Sequence, residues 1–121
     1  MVVSDRLTHA DLFAALEQAI DAFDALDIDP DNATALAVLA EIYTDVGNWE
    51  IAEGYLEKAL TTEPDNVTAL RNRAYYYEQR GDYENSVKAY EAAIAVAPYR
   101  FDLYIELGRQ YSIGLAEYEK A

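Results

Sequence analysis

Few residues of this chain have the type and spacing that a catalytic or metal site requires. There is no cysteine and one histidine, His9, so thiolate nucleophiles, disulfides and paired histidine ligands are excluded. No glycine-rich phosphate loop or nucleophile motif is present. The 23 acidic residues form acid/base pairs only in a geometry that a sequence does not fix. We expect His9 to be a surface residue and predict a non-enzyme without metal or cofactor.

Three alternating acids and two asparagines are the remaining candidates for a site. Asp27, Asp29 and Asp31 lack the glycine and the distal bidentate glutamate that a calcium loop needs, which favours a solvated turn. Asn32 and Asn66 fit the glycosylation sequence. Because each stands just before a segment of helical periodicity, we interpret both asparagines as helix caps.

The charge of the chain restricts its partners. Twenty-three acids against nine bases give a net charge of −14, which repels phosphate backbones and anionic lipids. We therefore predict neither nucleic acid nor membrane as a partner. The first residues carry no secretion signal, and no run reaches the roughly 20 apolar residues of a membrane span, so the prediction is a cytoplasmic protein. The acidity favours solubility, a high-salt cytoplasm or a basic partner.

The elements that must position any site follow from an internal repeat. Residues 30–36 return at residues 64–70 with six of seven residues identical and an offset of 34, and Pro98 continues the series. We call residues separated by this period a column. Columns of like residues are Ala25, Ala59 and Ala93; Leu26, Leu60 and Ile94; Leu36, Leu70 and Tyr104; Ala40, Ala74 and Gly108; Tyr43, Tyr77 and Tyr111. Agreement in so many columns at one period indicates a tandem repeat.

Each period predicts two helices, so the predicted fold class is all-α, with about six to seven helices. The first helix of a period carries an amphipathic stripe of Leu36, Leu39, Ala40 and Tyr43. A glycine, Gly47 or Gly81, then ends it where a left-handed residue is wanted. A proline ends the second helix. Alanine columns let neighbouring helices approach closely.

The predicted domain is one solenoid over residues 1–121. Its segments are 1–32, an N-terminal capping helix or degenerate repeat; 33–66 and 67–100, full repeats; and 101–121, a partial repeat or C-terminal helix. A capping box from Thr8 to Asp11 opens a helix to about Leu26. In that helix, Ala19, Ile20 and Phe23, followed by Ala25 and Leu26, resemble the apolar positions of a second helix with one residue deleted.

Two interpretations of residues 101–121 stay open. Either they form one terminal helix, or the chain is a fragment of a longer array, since a solenoid needs its last apolar face covered. The predicted buried stripe of the single helix is Tyr104, Leu107, Tyr111, Leu115 and Tyr118.

A family resemblance is carried by the residues Leu36, Ala40, Tyr43, Gly47, Trp49, Ala52, Leu56, Ala59 and Pro64, and by Leu70, Ala74, Tyr77, Gly81, Tyr83, Tyr90, Ala93 and Pro98. They resemble the tetratricopeptide repeat, a helix–turn–helix unit. The resemblance covers residues 33–121 well and 10–32 loosely. It implies a right-handed α-solenoid whose concave groove, lined by the first helix of each pair, holds a peptide or partner helix. The expected function is a protein–protein interaction scaffold.

On this resemblance, the groove residues expected to carry binding are Glu41, Arg71, Asn72, Tyr75, Glu106 and Arg109. Tyr75 stands outside the packing columns, and aromatic anchors beside arginine are typical of binding hot spots. Family members that bind chaperone C-termini hold the terminal carboxylate with lysine, asparagine and arginine. Because Asp102 and Glu106 stand where basic residues would be needed, we predict no binding of an acidic C-terminal chaperone peptide.

Two other functions stay open beside the scaffold. The abrupt end at residues 118–121 favours a regulatory or targeting part of a larger enzyme or sensor. An uncovered face of the C-terminal helix would instead allow self-association through that helix.

Overall fold

The structure is a computed structural model that describes the backbone of residues 9–120 and the side chains of residues 10–114 and 116. Predictions for the side chains of Thr8, His9, Leu115 and Tyr118 lie outside the described residues. Within them the chain is all-α, as predicted, and has these helices: α1 (His9–Ile28), α2 (Ala33–Asp45), α3 (Trp49–Thr62), α4 (Val67–Gln79), α5 (Tyr83–Val96) and α6 (Phe101–Lys120).

Asparagine and aspartate side chains start the central helices. The Asn32 side chain accepts a hydrogen bond from the Ala35 amide at 3.0 Å, and Asn66 accepts one from the Ala69 amide at 2.9 Å. Each bond satisfies one of the amides that a helix leaves unpaired at its start. The interpretation of both asparagines as caps is confirmed. Asn48 and Asp82 cap α3 and α5 in the same way.

Two glycines turn the chain between the helices of each pair. Gly47 has a φ of 80° and Gly81 a φ of 77°, a left-handed conformation that other residues adopt only with strain. The amides that follow, of Asn48 and Asp82, donate back to the carbonyls of Tyr43 and Tyr77 at 2.9 Å. This closure brings α3 back along α2 and α5 back along α4.

The core is a series of small clusters between consecutive helices. In the alanine columns, Ala40, Ala59, Ala74 and Ala93 are fully buried. Ala40 packs with Ala52 and the larger Leu56, so the small side chains bring the backbones close while the larger ones fill the remaining space. α2 packs against α1, α3 and α4, and α5 packs against α4 and α6, which is the one-dimensional arrangement of a solenoid.

The first helix packs through its alanines. Ala22 is buried against Leu39 of α2, whereas Phe23 is 46% exposed and Ile20 is 51% exposed. The period of 34 therefore continues into α1 without a deletion, because Ala22 occupies the column of Leu56. The prediction that Ile20 and Phe23 are packing positions is wrong.

The last helix runs unbroken over Phe101–Lys120, but its predicted buried stripe is wrong in two described positions. Tyr104 is 44% exposed and Tyr111 is 56% exposed, while Leu103 and Gln110 are fully buried. In the preceding copies, α3 and α5 cover the columns of Tyr104 and Tyr111. Within residues 9–120, no helix packs against the same columns of α6. The side of α6 that packs on α5 is the one that carries Leu103 and Gln110.

Gln110 is a polar residue in an apolar position. Neither its amide nitrogen nor its oxygen has a hydrogen-bond partner among the described residues. A buried amide without partners costs about 1–3 kcal/mol.

We therefore expect Gln110→Met to raise the free energy of unfolding by about 1–2 kcal/mol in a urea titration. The exposed Gln18→Met variant is the control and should stay within about 0.5 kcal/mol of the parent. A less stable Gln110→Met protein would mean that the amide makes a stabilising contact.

Candidate binding groove

Polar side chains of α2, α4 and α6 form a row of two contact groups, one between α2 and α4 and one between α4 and α6. We call this row the groove, and its members are Glu41, Asp45, Arg71, Tyr75, Glu78, Glu106 and Arg109. These residues come from the first helix of each pair, because α2, α4 and α6 begin at equivalent positions of the period. The row holds five of the six residues predicted for binding.

One half of the groove joins α2 to α4 through Arg71 and Tyr75. The Arg71 guanidinium lies 3.6 Å from the Glu41 carboxylate and 5.4 Å from the centre of the Tyr75 ring. The Tyr75 hydroxyl donates a hydrogen bond to the Asp45 carboxylate. Each acid therefore fixes the orientation of a side chain that is itself only partly buried, and a fixed side chain loses less entropy when it binds a partner.

The other half of the groove joins α4 to α6 through Glu78. Its carboxylate accepts hydrogen bonds from Arg109 at 3.2 Å and from the Tyr90 hydroxyl at 3.1 Å. Arg109 also binds Glu106, one turn earlier on its own helix. Burial, and then the charge of Glu78, raise the pKa of Tyr90 far above its usual range. The Tyr90 hydroxyl therefore stays protonated and remains a donor at any physiological pH.

Asn72 lies beneath the groove and not on its surface. It is 2% exposed, and its side-chain amide donates to the Ala37 carbonyl of α2 at 2.9 Å. Its carbonyl oxygen accepts a hydrogen bond from Arg71 at 3.0 Å. The prediction of Asn72 as a binding residue therefore needs correction: the side chain holds α4 against α2 and positions Arg71.

Two groove residues were not among the six predicted. Asp45 orients Tyr75, and Glu78 links α4 to α6. Both follow predicted residues by one helical turn, since Asp45 comes four positions after Glu41 and Glu78 comes three after Tyr75. Residues spaced i, i+3 or i, i+4 lie on one helix face. This spacing was the feature of the sequence from which Asp45 and Glu78 could have been predicted.

Acidic groups outnumber basic ones along this surface. The acids of the groove are Glu41, Asp45, Glu78 and Glu106, and its bases are Arg71 and Arg109. At the start of α6, Arg100 pairs with Asp102. Each of these arginines lies within ion-pair distance of an acid. The Arg100 guanidinium, 2.8 Å from Asp102, holds the pKa of that carboxyl below its usual range. An anionic ligand would have to compete with these internal carboxylates.

Other site types are not found among the described residues. No three histidine, cysteine, aspartate or glutamate side chains from residues 10–114 come together as metal ligands. No helix between residues 9 and 120 combines the length and the apolar character of a membrane span.

Comparison with known proteins gives a match to a protein family. A family model described as a tetratricopeptide repeat matches residues 39–102. This range covers most of α2, all of α3, α4 and α5, and the start of α6. No curated protein sequence matches the chain.

Two solved structures show the same fold. The first TPR domain of the human RPAP3 protein, solved by NMR, is 22% identical, with a TM-score of 0.71 over 85% of this chain and 80% of that one. The first TPR of Spaghetti (RPAP3), bound to the HSP90 peptide SRMEEVD, is also 22% identical, with a TM-score of 0.70 over 87% of this chain and 82% of that one.

The bond from Tyr90 to Glu78 connects the core to the groove. We expect Tyr90→Phe to lower the free energy of unfolding by about 1–2 kcal/mol, because a hydrogen bond to a charged acceptor is lost. Chemical denaturation measures this change. Tyr99→Phe is the matched control, since Tyr99 is 74% exposed. An equal effect in both variants would contradict a stabilising role for the Tyr90 hydroxyl.

Proposed function

We propose, because the chain belongs to the tetratricopeptide repeat family, that it binds a segment of a protein partner in the groove and catalyses no reaction. Domains of this family are in general protein-interaction modules. The observation that carries the proposal is the ordered pair of Arg71 and Tyr75, in which the guanidinium lies over the aromatic ring and each side chain is oriented by an acid of α2.

This pair has the properties of an interaction anchor. Arginine and tyrosine are the residue types that dominate interface energetics when they are well packed. Both side chains are half-buried in the free chain, so they retain surface for a partner. Glu106 and Arg109 continue the same row on α6 and would contact the next part of an extended ligand. Asn72 acts here through Arg71 and not by direct contact.

The charge of the groove favours neutral or basic segments of a partner. The excess of acids leaves carboxylate oxygens with further lone pairs for a lysine or arginine. The Spaghetti domain binds an acidic peptide, SRMEEVD, but at 22% identity the likeness extends to the fold and not to the ligand. We propose a partner segment of opposite charge to SRMEEVD.

The absence of catalysis is part of the proposal. The candidate acid/base groups of the groove are carboxylates paired with Arg71 or Arg109 and the Tyr75 hydroxyl, which donates to Asp45. General acid/base chemistry near neutral pH works best with a group whose pKa lies near the operating pH. Tyr90, which donates to Glu78 from beneath the groove, has a pKa that burial raises away from neutrality.

A selection from a displayed library of random peptides tests the groove without knowledge of the partner. We expect the bound peptides to be enriched in lysine and arginine and depleted in aspartate and glutamate. With the double variant Arg71→Ala, Tyr75→Ala we expect at least a tenfold loss of affinity, or about 1.4 kcal/mol, with helical content and melting temperature nearly unchanged.

Arg73→Ala is the matched control for that variant. Arg73 is on the same helix and also lies over a tyrosine ring, that of Tyr77 at 5.8 Å, but it is exposed outside the groove. Its substitution should leave the selected peptides bound. Equal losses in both proteins, or a loss that follows unfolding, would contradict the groove as the binding surface.

A calorimetric titration with the peptide SRMEEVD tests the predicted exclusion of acidic C-termini. We expect no heat of binding at micromolar concentrations, because the groove arginines already have carboxylate partners. The Spaghetti domain provides the positive control. Micromolar affinity for this chain would overturn the charge argument while leaving the interaction role intact.

A further inference from the structure

One face of α6 has the residue types that a second helix covers in the other copies, but no helix packs against it within residues 9–120. It carries Tyr104, Gly108 and Tyr111, in the columns of Leu36, Ala40 and Tyr43. In α2, Leu36 is 2% exposed and Ala40 is fully buried. In α6, Tyr104 and Tyr111 are about half exposed, and a β-carbon added to Gly108 would have no atom within 4 Å.

The second helix of a pair covers these columns elsewhere. Leu36 packs in one cluster with Ala59 of α3, and Ala40 packs with Ala52. The rings of Tyr43 and Tyr55 stack with centres 5.7 Å apart. A helix that covers α6 would therefore present a small residue opposite Tyr104, a side chain that fills the open space beside Gly108, and a contact for the ring of Tyr111.

At the N-terminal end of the solenoid, α1 has the opposite feature: it resembles the second helix of a pair. α1 carries the columns of a second helix, since Ala25 aligns with Ala59 and Ala93. No first helix precedes it within residues 9–120. A cleft of about 370 Å³ lies between α1 and α2. Its lining is apolar at Ala22, Ala25, Ala35 and Val38 and acidic at Asp21 and Glu41. In an uninterrupted repeat, the first helix of a pair would fill this position.

We propose that α6 of one copy docks into the cleft between α1 and α2 of a second copy, head to tail. The α1 of the second copy then completes the helix pair that α6 begins. A second copy is the expected occupant because the junction would continue the packing found inside the chain. The exposed face of α6 is that of a first helix whose second helix is missing from the described residues. The exposed face of α1 is that of a second helix whose first helix is missing from them.

The period sets the contacts of this junction. The pairing of Leu36 with Ala59 places Tyr104 against Ala25. The pairing of Ala40 with Ala52 places Gly108 against Gln18, where the missing glycine side chain leaves room for the longer glutamine. The stacking of Tyr43 on Tyr55 places the Tyr111 hydroxyl near the Asp21 carboxylate. None of these three pairs sets two charges of the same sign against each other.

A second set of contacts follows from the packing of first helices on one another. Asn72 of α4 contacts Ala37 of α2. The same step across the junction places Ile105, in the column of Ala37, against Val38, in the column of Asn72. Ile105 is 71% exposed in one copy and would become buried. This contact adds an apolar anchor to the two tyrosines.

Charge limits the strength of the association. Each copy carries a net charge of −14, so copies repel one another at low ionic strength, and salt screens this repulsion. We expect self-association to increase with salt. Since the two surfaces differ, the interface is heterologous and leads to chains of copies and not to a closed dimer.

Two variants, each blocking one surface, test the arrangement by sedimentation equilibrium at high salt. Gly108→Arg blocks α6; it adds a side chain to open space and removes a glycine from a helix, which favours helix formation. Gln18→Arg blocks the cleft at an exposed position. Each change reduces the negative charge, so a loss of association cannot come from added repulsion. Ala92→Arg, at an exposed position of α5 outside both surfaces, is the matched control.

We expect the parent and Ala92→Arg proteins to associate in a concentration-dependent manner, and each blocked variant alone to be monomeric. A mixture of Gly108→Arg with Gln18→Arg should form a one-to-one heterodimer, because each supplies the surface that the other lacks. A parent that stays monomeric up to millimolar concentration at high salt would overturn the proposal. Association that persists in Gly108→Arg would also overturn it and would indicate pairing through the exposed Leu12 and Leu16 of α1. A mixture that stays monomeric would overturn it as well.

Discussion

The close approach of helices at the alanine columns is the constraint on which the rest of the structure depends. Fully buried Ala40, Ala59 and Ala74 leave no room for a larger side chain, so the second helix of each pair returns along the first at a fixed distance. Two left-handed glycines and the asparagine and aspartate caps set the direction of that return. α2 and α4 are thereby held side by side, and α6, which packs on α5, reaches α4 through the contact of Arg109 with Glu78.

Regular features of the sequence predicted most of the fold. Helix caps, glycine turns and core columns depend on contacts within one period, which repeat with the residues that make them. The predictions of buried residues in α1 and α6, the two ends of the solenoid, were wrong because a column is buried only where a neighbouring helix covers it. Tyr104 and Tyr111 are exposed since no second helix packs on α6 within residues 9–120. Phe23 is exposed since Ala22 already fills the column against α2.

The sequence predicted which residues lie along the groove but not which of them are buried beneath it. Periodicity placed Arg71, Asn72 and Tyr75 on one side of α4, but that side is partly covered by α2. Asn72 faces the Ala37 carbonyl and is buried, whereas Arg71 and Tyr75 reach past this contact to Glu41 and Asp45. The burial of Gln110 in α6, without a hydrogen-bond partner among the described residues, also depends on the rotation of one helix against another, which a single sequence does not fix.

The central claim is that the face formed by α2, α4 and α6 receives the partner, and a ligand titration followed by amide NMR tests it most directly in a protein of 13.6 kDa. With a basic peptide selected on this chain, we predict that the largest shift changes occur around Glu41, Arg71, Tyr75 and Arg109. Small changes should follow along α3 and α5. Shift changes confined to the exposed residues of α3 and α5, with the groove amides unmoved, would contradict the account.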